Sequence, residues 1–283
     1  MNKWKYREET FFKIIMWFIF VLISFIMISI VGSVMIKGIS AINWSMVSQS
    51  AIGGFYLGKE GGILHAITGS LFLAGSASLL AAFFSIPIVL YLNIYSAENS
   101  RFASITRFMI DVLSGIPSIV CGMFFFVIMM YFSIGASLLG GIIAITILVT
   151  PVMCRSLDEI SRQVPGDLII TSYSLGATKL ETGLKVFLRQ IYPGIFTSFL
   201  LAFGRGIGDA AAVLFTAGFT DNMPSSLFKP AATLPLTIFF QLEIPIEEVR
   251  QRAYASAFIL TVIILAISII SRLMSKNYKK YLS

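Results

Sequence analysis

Val112-Leu-Ser-Gly-Ile-Pro-Ser-Ile-Val-Cys-Gly-Met-Phe-Phe-Phe-Val-Ile-Met-Met-Tyr-Phe-Ser-Ile-Gly-Ala-Ser-Leu-Leu-Gly-Gly-Ile-Ile-Ala-Ile-Thr-Ile-Leu-Val-Thr-Pro-Val-Met-Cys154 holds no Asp, Glu, Lys, Arg or His, and this run decides the fold. A helix needs about 20 apolar residues to cross the hydrocarbon of a bilayer, and the uncharged stretch is twice that long. It therefore predicts two crossings, 108–132 and 138–154, with Ile134-Gly-Ala-Ser-Leu-Leu-Gly-Gly141 as the reversal. The same criterion applied outward finds 14–36, 64–95, 193–220 and 253–271, with a kink expected at Pro87. Span 14–36 is too long for the apolar part of a signal peptide and is read as an anchor that stays. The expectation is an all-α integral membrane chain with six transmembrane helices: a tail over 1–13, then one membrane domain over 14–283.

Composition agrees. Apolar residues make up 57% of the chain and charged ones 12%, too few to cover an aqueous surface, where soluble domains carry about 25%. One histidine, His65, leaves no cluster for a metal and no base for a Ser-His triad, and Cys121 and Cys154 lie inside apolar runs. The net charge of +7 would suit nucleic acid or anionic lipid, and the positions decide for lipid. Six crossings put both termini on one side, together with the segments that follow spans two and four. That side holds fifteen Lys and Arg against five on the other, so both termini are expected in the cytoplasm. Outside the bilayer this leaves outer segments 37–60 and 221–252 and an inner segment, 155–192.

Few residues offer chemistry. Gly53-Gly-Phe-Tyr-Leu-Gly58-Lys59 has phosphate-loop spacing, but Glu60 stands where a hydroxyl must hold magnesium, so no ATP site is expected on this chain. In the inner segment, Pro165 suits a helix start, Gly176 suits a left-handed helix end, and Thr178-Lys-Leu-Glu181 has capping-box spacing. A helix, a glycine turn and a second helix follow, with Leu180, Leu184, Phe187, Leu188 and Ile191 on one apolar face. Such a hairpin either lies on headgroups or forms a docking knob for a cytoplasmic protein. Arg205 falls near the middle of span five, where a charge costs about 2.5–3.5 kcal/mol, so it should face protein or water. Asp209, four residues on, is expected on the same helix side; the two are either an internal ion pair or part of a pathway in which the guanidinium fork meets an oxyanion. Flanking Gly204, Gly206 and Gly208 allow close approach by substrate or by packed helices. Asp111 is expected either to pair locally with Arg107 or to act as a helix-start acid favoured by the dipole, and His65, Cys121 and Cys154 are expected to pack.

Segment 164–194, with Leu175-Gly176-Ala177-Thr178-Lys179 at its centre, resembles the cytoplasmic coupling loop of the permease subunits of ABC importers. In the same order, Gly61-Gly62-Ile63, Asp111-Val-Leu-Ser-Gly-Ile-Pro117-Ser118-Ile119-Val120-Cys-Gly122, Arg205-Gly-Ile-Gly208-Asp209, Leu214-Phe-Thr-Ala217 and Leu234-Pro235-Leu236-Thr-Ile238 resemble the A-type permease family of phosphate-specific (Pst) systems, over roughly 60–272. Two departures stand out: Ile170-Thr171-Ser172 replace the family's Glu-Ala-Ala, and Asp209 replaces a Glu.

The resemblance implies a type I ABC importer permease in a bacterial cell membrane, moving phosphate and not itself an enzyme. It implies substrate passage at Arg205 and Asp209, and ATPase coupling through Leu175, Gly176, Ala177, Thr178 and Lys179. The implied partners are a PstC-like sister permease, two copies of a PstB-like ATPase carrying the ATP and magnesium, and a PstS-like extracytoplasmic phosphate-binding protein. Sulfate, molybdate or phosphonate is the alternative cargo, and a secondary transporter or channel the alternative class.

Overall fold

A bilayer offers a backbone no partners, so each apolar run must satisfy its own N–H and C=O groups as a helix. The computed structural model describes the backbone of residues 3–52, 60–96 and 100–282, and the side chains of 8–51, 61–96 and 100–274. The phosphate-loop-like residues 53–59 therefore lie outside the described residues. The helices are α1 (Lys3–Ala41), α2 (Trp44–Ser48), α3 (Leu64–Leu90), α4 (Arg101–Ser114), α5 (Ser118–Tyr131), α6 (Leu138–Ser161), α7 (Gly166–Ser174), α8 (Lys179–Glu181), α9 (Leu188–Ile207), α10 (Val213–Thr216), α11 (Leu234–Gln241) and α12 (Glu247–Leu282). Two π segments, Tyr91–Tyr95 and Thr182–Phe187, extend α3 and join α8 to α9. One two-residue ladder pairs Ala51 with Gly61 and Ile52 with Glu60. Among the described residues five helices are long and apolar enough to cross a membrane, and the bent pair α4–α5 would make a sixth. The chain has an all-α, multi-pass membrane fold.

Helices α3, α6 and α9 form the centre, around Leu73, Ala77, Ala81, Ile145, Val149, Met153, Leu157 and Ala202. Lipid tails are as apolar as these side chains, so the helices hold by close packing, which small residues permit. A Cβ at Gly141 would come 2.8 Å from both Leu73 and Ala217, and one at Gly206 would come 3.0 Å from Ile145. Helix α12 closes the outside of the bundle against α1, α9 and α11.

Three expectations are corrected. The span over 108–132 is not straight: Gly115-Ile116-Pro117 separates α4 from α5 at a 95° bend, because Pro117 donates no N–H and disfavours helical backbone at Ile116. The next reversal lies at Phe132–Ser137, where Ser133 takes a φ of 56°; Gly140 and Gly141 belong to α6 and serve packing. The fifth helix stops at Ile207, not Thr220. Residues 208–233 fold back over the start of α6 instead, whose first N–H groups, Leu138 and Leu139, donate to the carbonyls of Lys229 at 2.9 Å and Leu227 at 2.8 Å. That return segment does for α6 what a polar cap does for a helix in water. Helix α3 runs on through Pro87 and widens into its π segment four residues later.

Candidate functional site

The hairpin over 166–191 is built from local signals. Helix α7 ends on Gly176, whose φ of +83° is the left-handed conformation that costs a side chain strain. Its N–H donates to the Tyr173 carbonyl at 2.9 Å, and the Ala177 N–H donates to the Ser172 carbonyl at 3.2 Å, the double closure of a Schellman end. The Thr178 hydroxyl then accepts from the Glu181 N–H at 3.3 Å while the Thr178 N–H donates to the Glu181 carboxylate at 3.1 Å, a complete capping box. Where the family pattern has its last alanine, the buried Ser172 hydroxyl bonds the Thr182 hydroxyl at 2.9 Å and ties the two arms together.

The expected single apolar face is divided. Phe187 and Ile191 are buried against Ile94, whereas Leu180 and Leu184 stay exposed. The π segment between them holds an extra residue per turn and rotates the later positions off the stripe. Leu175 at the tip is 83% exposed, beside exposed Ile170. Ala177 is half-buried; Thr178 and Lys179 are exposed.

At the root of this hairpin lies a charge cluster that spacing does not reveal. Asp158, nearly buried near the end of α6, accepts from Arg107 at 3.0 and 3.2 Å, from Arg162 at 2.9 and 3.2 Å and from the Asn93 amide at 3.0 Å. Asp111 pairs with Arg155 at 2.7 Å, and Arg155 also reaches Glu159 at 3.3 Å. The local Arg107–Asp111 pair is therefore corrected: both side chains turn across to α6, where opposite charges and acceptors are already aligned. A cavity of about 230 Å³ lies between α4 and α6, lined by Arg107, Asp111, Cys154, Arg155, Asp158 and Arg162.

Arg205 sits in the last turn of α9, where the helix dipole favours a cation. It is exposed and, among the described residues, makes no hydrogen bond or ion pair. Asp209 does not share its helix face, because α9 caps at Gly208; its carboxylate accepts from the Ala212 N–H at 2.8 Å and shapes the turn into α10. No salt bridge joins the two among the described residues. The flanking glycines pack: a Cβ at Gly204 would meet Ile267 and one at Gly208 would meet Ile264, both on α12. His65 and Cys154 are buried and Cys121 half-buried, and among the described residues no three His, Cys, Asp or Glu side chains gather where a metal would bind.

Residues 90–280 match the family of binding-protein-dependent transport system inner membrane components. Over 246 residues the chain is 31% identical to the phosphate transport system permease protein PstA of Haemophilus influenzae, covering 86% of this chain and 85% of that one. It is 32% identical to PstA of Yersinia pestis over 222 residues, covering 77% and 74%. In fold it is similar to a chain of the MetNI methionine ABC transporter, with a TM-score of 0.58 at 14% identity, covering 78% of this chain and 94% of that one. The chain belongs to the binding-protein-dependent transport system inner membrane component family, and is a multi-pass inner-membrane permease subunit.

Proposed function

We propose that this chain is the A-type permease subunit of a phosphate ABC importer, forming half of a path through which inorganic phosphate enters the cell. The observation that carries this reading is the agreement with phosphate permeases across 86% of the chain. The hairpin around Gly176 is the surface that a cytoplasmic ATPase would grip, since it offers exposed Leu175 and Ile170 on a turn stiffened by two sets of caps. The partners are two such ATPase copies, a sister permease across a pseudo-two-fold, and an extracytoplasmic binding protein that delivers the anion. Arg205 belongs to the path: an exposed guanidinium with no partner among the described residues gains stabilisation whenever an oxyanion occupies it, which is the differential binding that transport needs. Asp209 holds the turn that ends α9 beside Arg205, and its charge keeps a multiply charged anion from resting there.

Uptake of radiolabelled phosphate tests this in a host lacking its own phosphate permease subunit, with this chain expressed alongside its neighbouring reading frames. Saturable uptake that excess sulfate and molybdate leave unchanged is the expected result. Uptake no higher than in the empty host, or uptake suppressed equally by sulfate, overturns the phosphate assignment.

A further inference from the structure

Three stretches of chain meet at one carboxylate. Asp158 binds Asn93 from the π segment after α3, Arg107 from α4, and Arg162, the C-cap of its own helix three residues before Pro165 opens the hairpin. The hairpin touches the same place a second time. Ile94, next to Asn93, packs with Phe187 and Ile191, and Gly183 lies so close to Leu90 that a Cβ there would be 3.1 Å from its methyl group. The two π segments are thus packed against each other, and a displacement of the hairpin reaches Asp158 both along the backbone through Arg162 and sideways through Ile94 and Asn93. Single-turn π segments inside α-helices are frequent at functional sites.

The charges also select a register. Moving one turn forward along α4, from Arg107 to Asp111, corresponds to moving one turn back along α6, from Asp158 to Arg155. A slip of one turn in one direction would set Arg107 against Arg162 and Asp111 against Asp158 and Glu159, like against like. The cavity beside the cluster leaves room for water, and the pairing of opposite charges adds a bias against that slip.

We infer that Asp158 is a positioning residue for energy coupling: it locks the bent pair α4–α5 to the end of α6, so that hairpin displacement carries both as one body. This deepens the ABC importer reading and rests on it. The test uses the assembled complex with its ATPase, comparing wild type with Asp158→Asn and Asp158→Glu, and with Arg107→Lys in case Asp158→Asn does not assemble. Three quantities are read: membrane abundance with bound ATPase, ATP hydrolysed per phosphate taken up, and a spin-label distance between Ser104→Cys on α4 and Gln163→Cys at the end of α6, in chains whose native cysteines are serine.

In wild type the distance should be single-valued and equal with and without ATP. In Asp158→Asn it should broaden and shift on ATP binding, with ATP hydrolysed per phosphate rising at least about tenfold while hydrolysis itself continues. Asp158→Glu should recover most of the coupling, and Arg107→Lys should fall between, because an ammonium lacks the two-pronged contact. A neutral variant that assembles with unchanged coupling and distance overturns the inference, as does one that is merely less abundant and normal per complex. A wild-type complex that hydrolyses ATP but takes up no phosphate sinks the phosphate reading alone, since the distance arm needs no cargo.

Discussion

At the C-terminal end of α6 the Asp158 carboxylate takes five hydrogen bonds from two guanidinium groups and an amide, whereas at the end of α9 Arg205 stands exposed and Asp209 uses its carboxylate on a backbone N–H. The same residue types carry opposite conditions. In the first place each charge is answered within the subunit and the geometry is fixed. In the second no side chain among the described residues answers the positive charge. A saturated cluster holds helices in register and has little left to offer a cargo. An unsaturated arginine has donors left that an anion could take.

The largest effect expected from that contrast is at Arg205. Arg205→Gln should lower phosphate uptake at least about a hundredfold, the loss of two charge-assisted hydrogen bonds, with membrane abundance near wild type. Arg205→Lys should regain little of it. Substantial uptake by well-assembled Arg205→Gln would erase the distinction drawn above.

Next comes a change that touches no charge. If the inner region transmits force and binds nothing, distorting its tip should uncouple the machine. Gly176→Val forces a β-branched side chain into the left-handed region at a cost of about 1–2 kcal/mol, so ATPase recovered with the membrane complex should drop several-fold and transport with it. The site has open space around it, so a fall in co-purification reflects the turn itself and not a clash. Unaltered co-purification and transport would show that the hairpin is not the grip.

The smallest effect is expected at Asp209. Asp209→Asn keeps an acceptor for the Ala212 N–H and should reduce uptake only a few-fold, whereas Asp209→Ala should lose that hydrogen bond and about 1 kcal/mol with it. The double variant Arg205→Gln with Asp209→Asn should be as inactive as Arg205→Gln alone. Restored uptake in the double variant would mean that the two charges had answered each other all along.

Features written within a few residues of one another are legible in the amino-acid sequence alone. Gly176, the spacing of Thr178 to Glu181 and the uncharged runs are signals that a helix end or a bilayer imposes locally, and they lead to the hairpin and the apolar helices. The Asp158 cluster is not legible, because Asn93 and Arg107 lie 65 and 51 positions away and the four-residue spacing of Arg107 and Asp111 offers a nearer partner. Hydropathy reads through Gly115-Ile116-Pro117 and through the glycines after Arg205, since neither adds a charge, so the 95° bend and the end of α9 escape it. The π segments leave no mark at all: an extra residue in one turn changes the face of everything after it without changing composition.

The packing of α1 on α12 sets a clock on the making of this protein. Gly38 lies against Phe258, and the Lys37 ammonium reaches the Tyr254 hydroxyl at 3.1 Å, 217 residues further along the chain. At synthesis rates of about 5–20 residues per second, α1 waits in the membrane for roughly 10–40 s before its partner emerges. Its own backbone bonds are satisfied throughout, so the wait carries no penalty in lipid. During that interval, however, its face toward α12 is free to meet any other newborn helix, and a helix made 217 residues ahead of its partner settles only when that partner arrives.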